Sequence, residues 1–417
     1  MTTHERIAAG HDPVDALIIG AGPSGAVAAA LLANKGRKVL VLEKDEFPRF
    51  SIGESLLPQC MVFLEEAGML EAVQAGGFQY KNGAGFQHAG KYTDFNFTEK
   101  FTPGPGTTFQ VQRARFDKIL ADEAFRLGAD VRYRHEIITV DVSGARPQVT
   151  YRAPDGAIHT ASAHFLLDAS GFGRVLPRLL DLESPSNFPV RQSCFTHIKD
   201  NISDLSFDRN KILISVHPKF RDIWYWTIPF SNGTCSLGVV AEKSFFDGYT
   251  DNLDERLMGM VHEEPRLSTL LANAEIIQPA RQITGYSANV KSLHGRGFAL
   301  LGNAGEFLDP VFSSGVTIAL KSASLAAALL DRQLNGETVD WETDYAVPLK
   351  TGVDTFRTFV TSWYDQRLQD IIFHHDQPAT VKGMISSILA GYAWDDSNPY
   401  VSQSERRVNV LAEICRP

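Results

Sequence analysis

The chain has 417 residues, 44% of them hydrophobic and 21% charged, which is the balance of a folded globular protein rather than a disordered one. Lys and Arg total 40 against 49 Asp and Glu, a net charge of -9. That argues against a general affinity for nucleic acid or anionic membrane, where clustered positive charge supplies the binding. No apolar run reaches the roughly 18 residues of a membrane span. The polar start Met1-Thr2-Thr3-His4-Glu5-Arg6 lacks the apolar core of a signal peptide, so a cytoplasmic enzyme is expected. Cys60, Cys194, Cys235 and Cys415 have no CxxC spacing, which predicts neither a disulfide framework nor a zinc site. The 12 histidines form no HxxxH or HExxH pattern. Their one cluster, His374-His375-Asp376, reads as a polar helix end, and no metal is assigned.

In chain order, Ala16-Leu17-Ile18-Ile19 predicts a buried parallel strand. An alanine- and leucine-rich helix follows and stops at Gly36. Val39-Leu40-Val41-Leu42 is the second strand of a βαβ unit. Strands alternate from about 130 to 151, with Asp155-Gly156 as a hairpin turn signal. Phe165 to Gly171 is another buried strand running into a glycine turn. From about 185 to 290 the pattern is that of a mostly antiparallel sheet with one wet face. Phe298-Ala299-Leu300-Leu301-Gly302 returns to the buried-strand pattern, before a long helix from about Gly315 and a helical tail. These pieces predict a discontinuous cofactor domain (1–182 and 290–345, with part of the substrate pocket near 56–112), an inserted sheet domain (183–289) and a helical C-terminal region (346–417).

Gly20-x-Gly22-x-x-Gly25 follows the first strand and opens the first helix, and Glu43 ends the second strand. Gly20 permits the tight turn, Gly22 lets a pyrophosphate approach the backbone, and Gly25 lets helix and strand pack closely. The helix N-terminus, with Pro23 and Ser24, offers free N–H groups and partial positive charge, and Glu43 would accept from a ribose. No second fingerprint occurs. The further turns Asp168-Ala169-Ser170-Gly171 and Gly302-Asn303-Ala304 suit a long cofactor lying across one domain, which favours FAD.

Three blocks resemble the flavin-dependent halogenases: Leu42 to Pro58, containing Lys44, Arg49 and Gly53-Glu54-Ser55; Trp224-Tyr225-Trp226-Thr227-Ile228-Pro229; and Gly302 to Val316. Lys81 stands where that family carries its catalytic lysine. The resemblance covers roughly three quarters of the chain and, within the family, is nearer to members acting on phenols and pyrroles. It implies an α/β fold with an FAD-binding, Rossmann-like domain of the aromatic-hydroxylase type. It also implies a separate flavin reductase that delivers reduced FAD, and chloride or bromide oxidised beside the flavin to hypohalous acid. Lys81 would then direct the electrophilic halogen to an aromatic carbon. On this resemblance Ser313 joins Lys81 in catalysis, the Ser314 and Gly315 amides hold the halide, and Arg49, Arg113, Asp168, Asn303 and Val316 contact the cofactor. Trp224 and Trp226 close the pocket. Glu54 anchors the loop over the ring, or is a solvated carboxylate.

One departure bears on substrate. Tryptophan halogenases carry a glutamate where this chain has Phe312. The resemblance therefore implies a phenolic or pyrrolic ring, free or carrier-tethered, with Phe312 as an apolar wall of its pocket. The competing expectations are an aromatic hydroxylase, a geranylgeranyl-type reductase, or a flavoprotein that only binds FAD or a carrier protein.

Overall fold

A computed structural model describes residues 13–375 and 378–416. Two eight-stranded sheets face each other across a shared apolar core. In the first, Val14–Ile19 pairs in parallel with Val39–Leu42 on one side and with the Ile158–Asp168 strand on the other. Phe298–Leu300 and Asp130–Arg132 extend it outward, also in parallel. Parallel strands covered on both faces must be apolar throughout, and Ala16, Leu17 and Ile18 are all fully buried.

The helix Pro23–Asn34 packs over this sheet and beneath the helix Ser314–Leu334. Its run of alanines keeps all three layers close. The glycines of the fingerprint divide by role. Gly25 has no room for a side chain, because a Cβ there would lie 2.0 Å from the Gly20 carbonyl oxygen. The helix Ser314–Leu334 is long and apolar enough by composition to cross a membrane, which departs from the expectation of no such segment. Most of it is buried against neighbouring helices, the environment of a core helix.

The second sheet runs through Arg191–Lys199, Thr234–Glu242, Trp224–Pro229 and Lys211–Val216. It then continues into Gly83–His88 and Lys91–Asn96, which the chain-order reading placed in the cofactor domain. That parallel junction, Ile212 beside Ala84 and Ile214 beside Phe86, stitches the inserted sheet to the N-terminal part of the chain. Nothing local in Gly83–His88 announces a partner more than a hundred residues away.

Alternation assigns the two faces. Phe195, Ile212, Ile214, Trp224, Trp226 and Ile228 join the core shared with the first sheet. Cys194, Leu213, Tyr225, Leu237 and Val239 point the other way. The expected wet face is absent from this part of the sheet. The helices Leu253–Glu263 and Pro265–Leu270 cover it with Leu257, Met260, Val261 and Leu267, and Trp224–Pro229 is buried at every position. The helical tail returns to the first core, where Trp363 meets Phe86 and Phe312 edge or tilted at about 6 Å.

Trp226 lies flat across the neighbouring strand at Gly238, its register partner. A Cβ on Gly238 would stand 2.2 Å from the indole ring. Gly238→Ala should therefore push the ring out of its place and destabilise the protein by about 1–3 kcal/mol. A urea midpoint unchanged from wild type would contradict this packing.

Candidate active site

A cleft of about 490 Å³ opens between the two sheets. One end is lined by Gly20, Gly22, Pro23, Ser24, Glu43, Lys44, Arg49 and Arg113. The other is lined by Ile212, Trp224, Trp226, Ile228, Tyr286, Phe307 and Pro310. Asn303 and Ser313 contribute from the loop that leads into the helix Ser314–Leu334, Gly315 and Val316 from its first turn, and Glu54 and Ser55 from a buried segment that crosses between the sheets.

The fingerprint end is built for a nucleotide. Gly20 takes φ +94°, and a Cβ there would strike the Ala169 carbonyl oxygen at 2.8 Å. Gly22 is different: a Cβ would meet only the Arg49 guanidinium, 3.7 Å away, and would project into the cleft. Arg49 Nε is buried with no hydrogen-bond partner, and the guanidinium makes only loose ion pairs, to Asp45 at 3.8 Å and to Asp117 at 3.5 Å. The Glu43 carboxylate is fixed by N–H donation from Ala21 at 2.8 Å and Asp45 at 3.0 Å. A pyrophosphate between Gly22 and Arg49, at the start of the first helix, would take up the unbonded Arg49 Nε–H and the helix amides, so the residues present fit FAD.

Several residues of the sequence reading hold the site rather than line it. Asp168 is fully buried and accepts from the Ser170 and Leu176 amides at 2.9 and 2.7 Å, which shapes the Ala169–Gly173 turn. Burial pushes its carboxyl pKa up. Gly302, at φ +51°, lets the loop lie on Ala319 of the long helix. The Ser314 side chain is buried away from the cleft, whereas Ser313, left-handed at φ 56°, and Gly315 face it. Arg113 lines the cleft but is clamped to Asp117 at 2.6 and 3.0 Å, and its Nη1 donates to the Ile52 carbonyl at 2.7 Å.

Two expectations need correction. Phe312 is not a wall of the cleft. It is buried against Phe359 and Trp363, because the short helical turn Pro310–Phe312 points it into the C-terminal helices. Lys81 does not reach the cleft either. It is 0% exposed, and its ammonium donates to Ser55 Oγ at 2.7 Å and to the Leu56 carbonyl at 2.8 Å. Ser55 stands between it and the cavity. Burial lowers the Lys81 pKa to about 7.

Two further groupings escaped the sequence. Glu54, 2% exposed, pairs with His197 across the domain junction at 2.8 Å. Asp309 is buried and accepts from the Val311 amide, from Tyr364 at 2.8 Å and from Tyr286 at 3.4 Å. Burial raises its pKa to about 6. Trp224 Nε1 donates to the same Tyr364 hydroxyl at 3.0 Å, so the C-terminal helix Val347–Tyr364 holds both the double-tryptophan strand and the loop after Leu308. The only signals in the sequence were an Asp-Pro in a loop and a histidine at an inward strand position.

The family model described as FAD binding domain matches residues 13–342. The 1H-pyrrole-2-carbonyl-[peptidyl-carrier protein] brominase of Pseudoalteromonas luteoviolacea is 31% identical over 79% of this chain and 80% of its own length. The corresponding chlorinase of Pseudomonas fluorescens is 30% identical over 85% and 84%. The chain belongs to the flavin-dependent halogenases. Among solved structures, a flavoprotein/dehydrogenase from Cytophaga hutchinsonii is 45% identical over 97% of this chain and 99% of that one, with a TM-score of 0.94. As a flavin-dependent halogenase the protein is an FAD enzyme of the oxidoreductase type with an α/β fold. Among the described residues, no group of three or more His, Cys, Asp or Glu is placed to hold a metal. Asp376, of the His374-His375-Asp376 cluster, lies outside the described residues.

Gly22→Val should lower FAD affinity at least tenfold while leaving the thermal midpoint of the FAD-free protein nearly unchanged. Gly20→Val should lower the midpoint itself, since it clashes with backbone. Equal FAD binding by wild type and Gly22→Val in a fluorescence titration would exclude this loop as the pyrophosphate site. A second outcome follows from Lys81. Between its native pKa of about 7 and the ordinary lysine value of 10.5, the unfolded chain holds a proton that the native protein has released. Wild-type stability therefore rises with pH across that window, and the burial penalty is complete below about pH 7. Urea unfolding should show Lys81→Met gaining most over wild type near pH 6 and progressively less toward pH 10. A pH-independent difference would mean that Lys81 is not titrating in the native interior.

Proposed function

We propose that this halogenase acts on an electron-rich phenolic or pyrrolic ring, free or tethered to a carrier protein. Reduced FAD would come from a separate flavin reductase, and chloride or bromide would serve as the halide. The observation that carries the reading is one cleft in which a nucleotide-binding end and a flat aromatic end share one wall, with Lys81 hydrogen-bonded behind that wall through Ser55. Bound FAD, once reduced and met by oxygen, supplies the oxidant that turns halide into hypohalous acid. The chain's own residues do the rest. The amides of Ser314 and Gly315 lie in the first turn of the helix Ser314–Leu334, where N–H groups lack intrahelical acceptors and suit a halide. Ser313 faces the cleft beside them. Trp224, Trp226, Ile212 and Ile228 give the far end an apolar surface that admits a flat ring and excludes water.

Substrate class follows from charge. No carboxylate stands at Phe312 itself, and those nearby are already engaged: Asp309 is buried against Tyr364 and Tyr286, Glu306 pairs with Arg357, and Glu54 with His197. A weakly activated indole benzo carbon would find little help in losing its proton. A phenol or pyrrole is electron-rich enough to react without it, and both relatives named above act by name on a carrier-bound pyrrole. The four cysteines are all free and buried, which fits a cytoplasmic enzyme.

The test is a product assay with a flavin reductase, chloride or bromide, and a panel of phenols, carrier-bound pyrrole-2-carbonyl and free tryptophan. Mass spectrometry should show a halogen isotope pattern on a phenol or pyrrole and little product from free tryptophan. Efficient tryptophan halogenation would refute the substrate class. Addition of one oxygen would instead favour the hydroxylase, and reduction of a polyprenyl double bond the reductase. FAD binding with no product at all would favour a non-catalytic role.

A further inference from the structure

The buried lysine poses a chemical problem: a group meant to act on a halogen in the cleft does not touch the cleft. Lys81 lies on the short strand Gln79–Lys81, and its ammonium is enclosed by Ser55, Leu56 and the ring of Phe97, whose centroid is 5.5 Å away. Ser55 alone of these lines the cavity. An ammonium has donors and no acceptor, so at 2.7 Å the Ser55 oxygen must be the acceptor. Its own O–H is then directed away from Lys81, and among the described residues no side chain or carbonyl accepts it. The hydroxyl is left with the cleft as its outlet.

We propose that Ser55 is a catalytic residue of the halogenation step: its hydroxyl donates to the oxygen of hypohalous acid and relays to it a proton from Lys81. The inference rests on the reading that this cleft halogenates an aromatic ring. In the step, a π pair of the ring forms the carbon–halogen bond while the halogen–oxygen bond breaks and its pair stays on oxygen. That oxygen takes the Ser55 proton and leaves as water. Ser55 is reprotonated from the Lys81 ammonium, the halogenated carbon releases its proton to solvent, and Lys81 recovers one from solvent. The balance is ring C–H plus hypohalous acid to ring–halogen plus water. Lys81 is thus a positioning and proton-supplying residue that acts through Ser55.

The surroundings suit a proton donor working near neutrality. A lysine lowered to about 7 gives up its proton far more readily than an exposed one. The titratable group facing it is Cys60, on the helix Cys60–Glu66, whose Sγ lies 3.2 Å from Thr317 Oγ1 of the long helix. Burial pushes that thiol pKa up, so it is neutral when Lys81 titrates. Above the Lys81 pKa the neutral amine becomes an acceptor, and the Ser55 O–H can turn back to it and away from the cleft.

The experiment compares wild type, Ser55→Ala, Ser55→Thr and Lys81→Ala, each loaded with FAD and supplied with reductase, halide and an accepted phenol or pyrrole. Ser55→Ala should lose at least tenfold in halogenated product, approaching Lys81→Ala, while FAD affinity stays within twofold and escaped hypohalous acid, trapped with monochlorodimedone, rises. Ser55→Thr should restore most of the product. Wild-type product formation should fall as pH rises through about 7, and that limb should vanish in Ser55→Ala. An NMR titration of the lysine side chains, which needs no turnover, should place Lys81 lower still in Ser55→Ala, where the ammonium has lost an acceptor. Ser55→Ala with at least half the wild-type product and an unchanged pH profile would overturn the relay while leaving the halogenase reading in place. Absence of halogenated product from wild type would remove both.

Discussion

The segment Phe50–Leu57 is pinned between the two sheets by bonds that leave it almost no freedom, and the site depends on that constraint. Arg113 holds the Ile52 carbonyl, His197 holds the Glu54 carboxylate, and Lys81 holds Ser55 and Leu56. Backbone bonds from Leu56 to Phe109 and from Val111 to Glu54 close the remaining positions. Phe50 stacks against Phe195 at 6.1 Å and sits 5.6 Å from His197, so apolar packing and polar bonding fix the same place. Breaking one of these buried polar bonds would strand a charge or a donor in a dry interior, which costs more than the bond returns in water. The segment therefore behaves as a wall, with the cleft on one side and the lysine on the other.

That wall explains why an expensive group is kept. A fully buried ammonium with two acceptors and an aromatic neighbour is poorly repaid for its lost hydration, and its pKa falls accordingly. A solvated lysine would be cheaper to fold and far less ready to release a proton near pH 7. The Asp309 cluster works in the same currency from the other side. Its carboxyl, raised to about 6, ties Tyr364 and Tyr286 together beneath the loop that carries Ser313. With Trp224 bonded to Tyr364 and the Arg191 guanidinium 3.5 Å above the Tyr364 ring, the helical tail helps to hold a wall of the cleft.

The glycines show how function and packing divide a motif. Gly20 and Gly25 are demanded by backbone contacts inside the protein, whereas the space above Gly22 is cleft. Trp226 needs Gly238 as its bed, so the double-tryptophan motif has a third member ten residues or more downstream in the chain and adjacent in the sheet. Neither relation is a matter of helix or strand propensity.

The sequence by itself determined the parts whose physics is local. The turn of Gly20, the apolar strands around it, the acidic end at Glu43 and the helix after Ser313 all follow from neighbours a few residues apart, and so the FAD-binding frame was legible. The strand alternation that sends Trp224 and Trp226 to one face was legible for the same reason. Only the tertiary structure decided what those faces meet. It covered the expected wet face with two helices, turned Phe312 into the core, and brought His197 to Glu54 across 143 positions of chain. It also set Lys81 behind Ser55 instead of on the wall of the cleft. Such outcomes depend on which buried polar groups find partners when distant segments close on one another, and a linear pattern carries no measure of that closure.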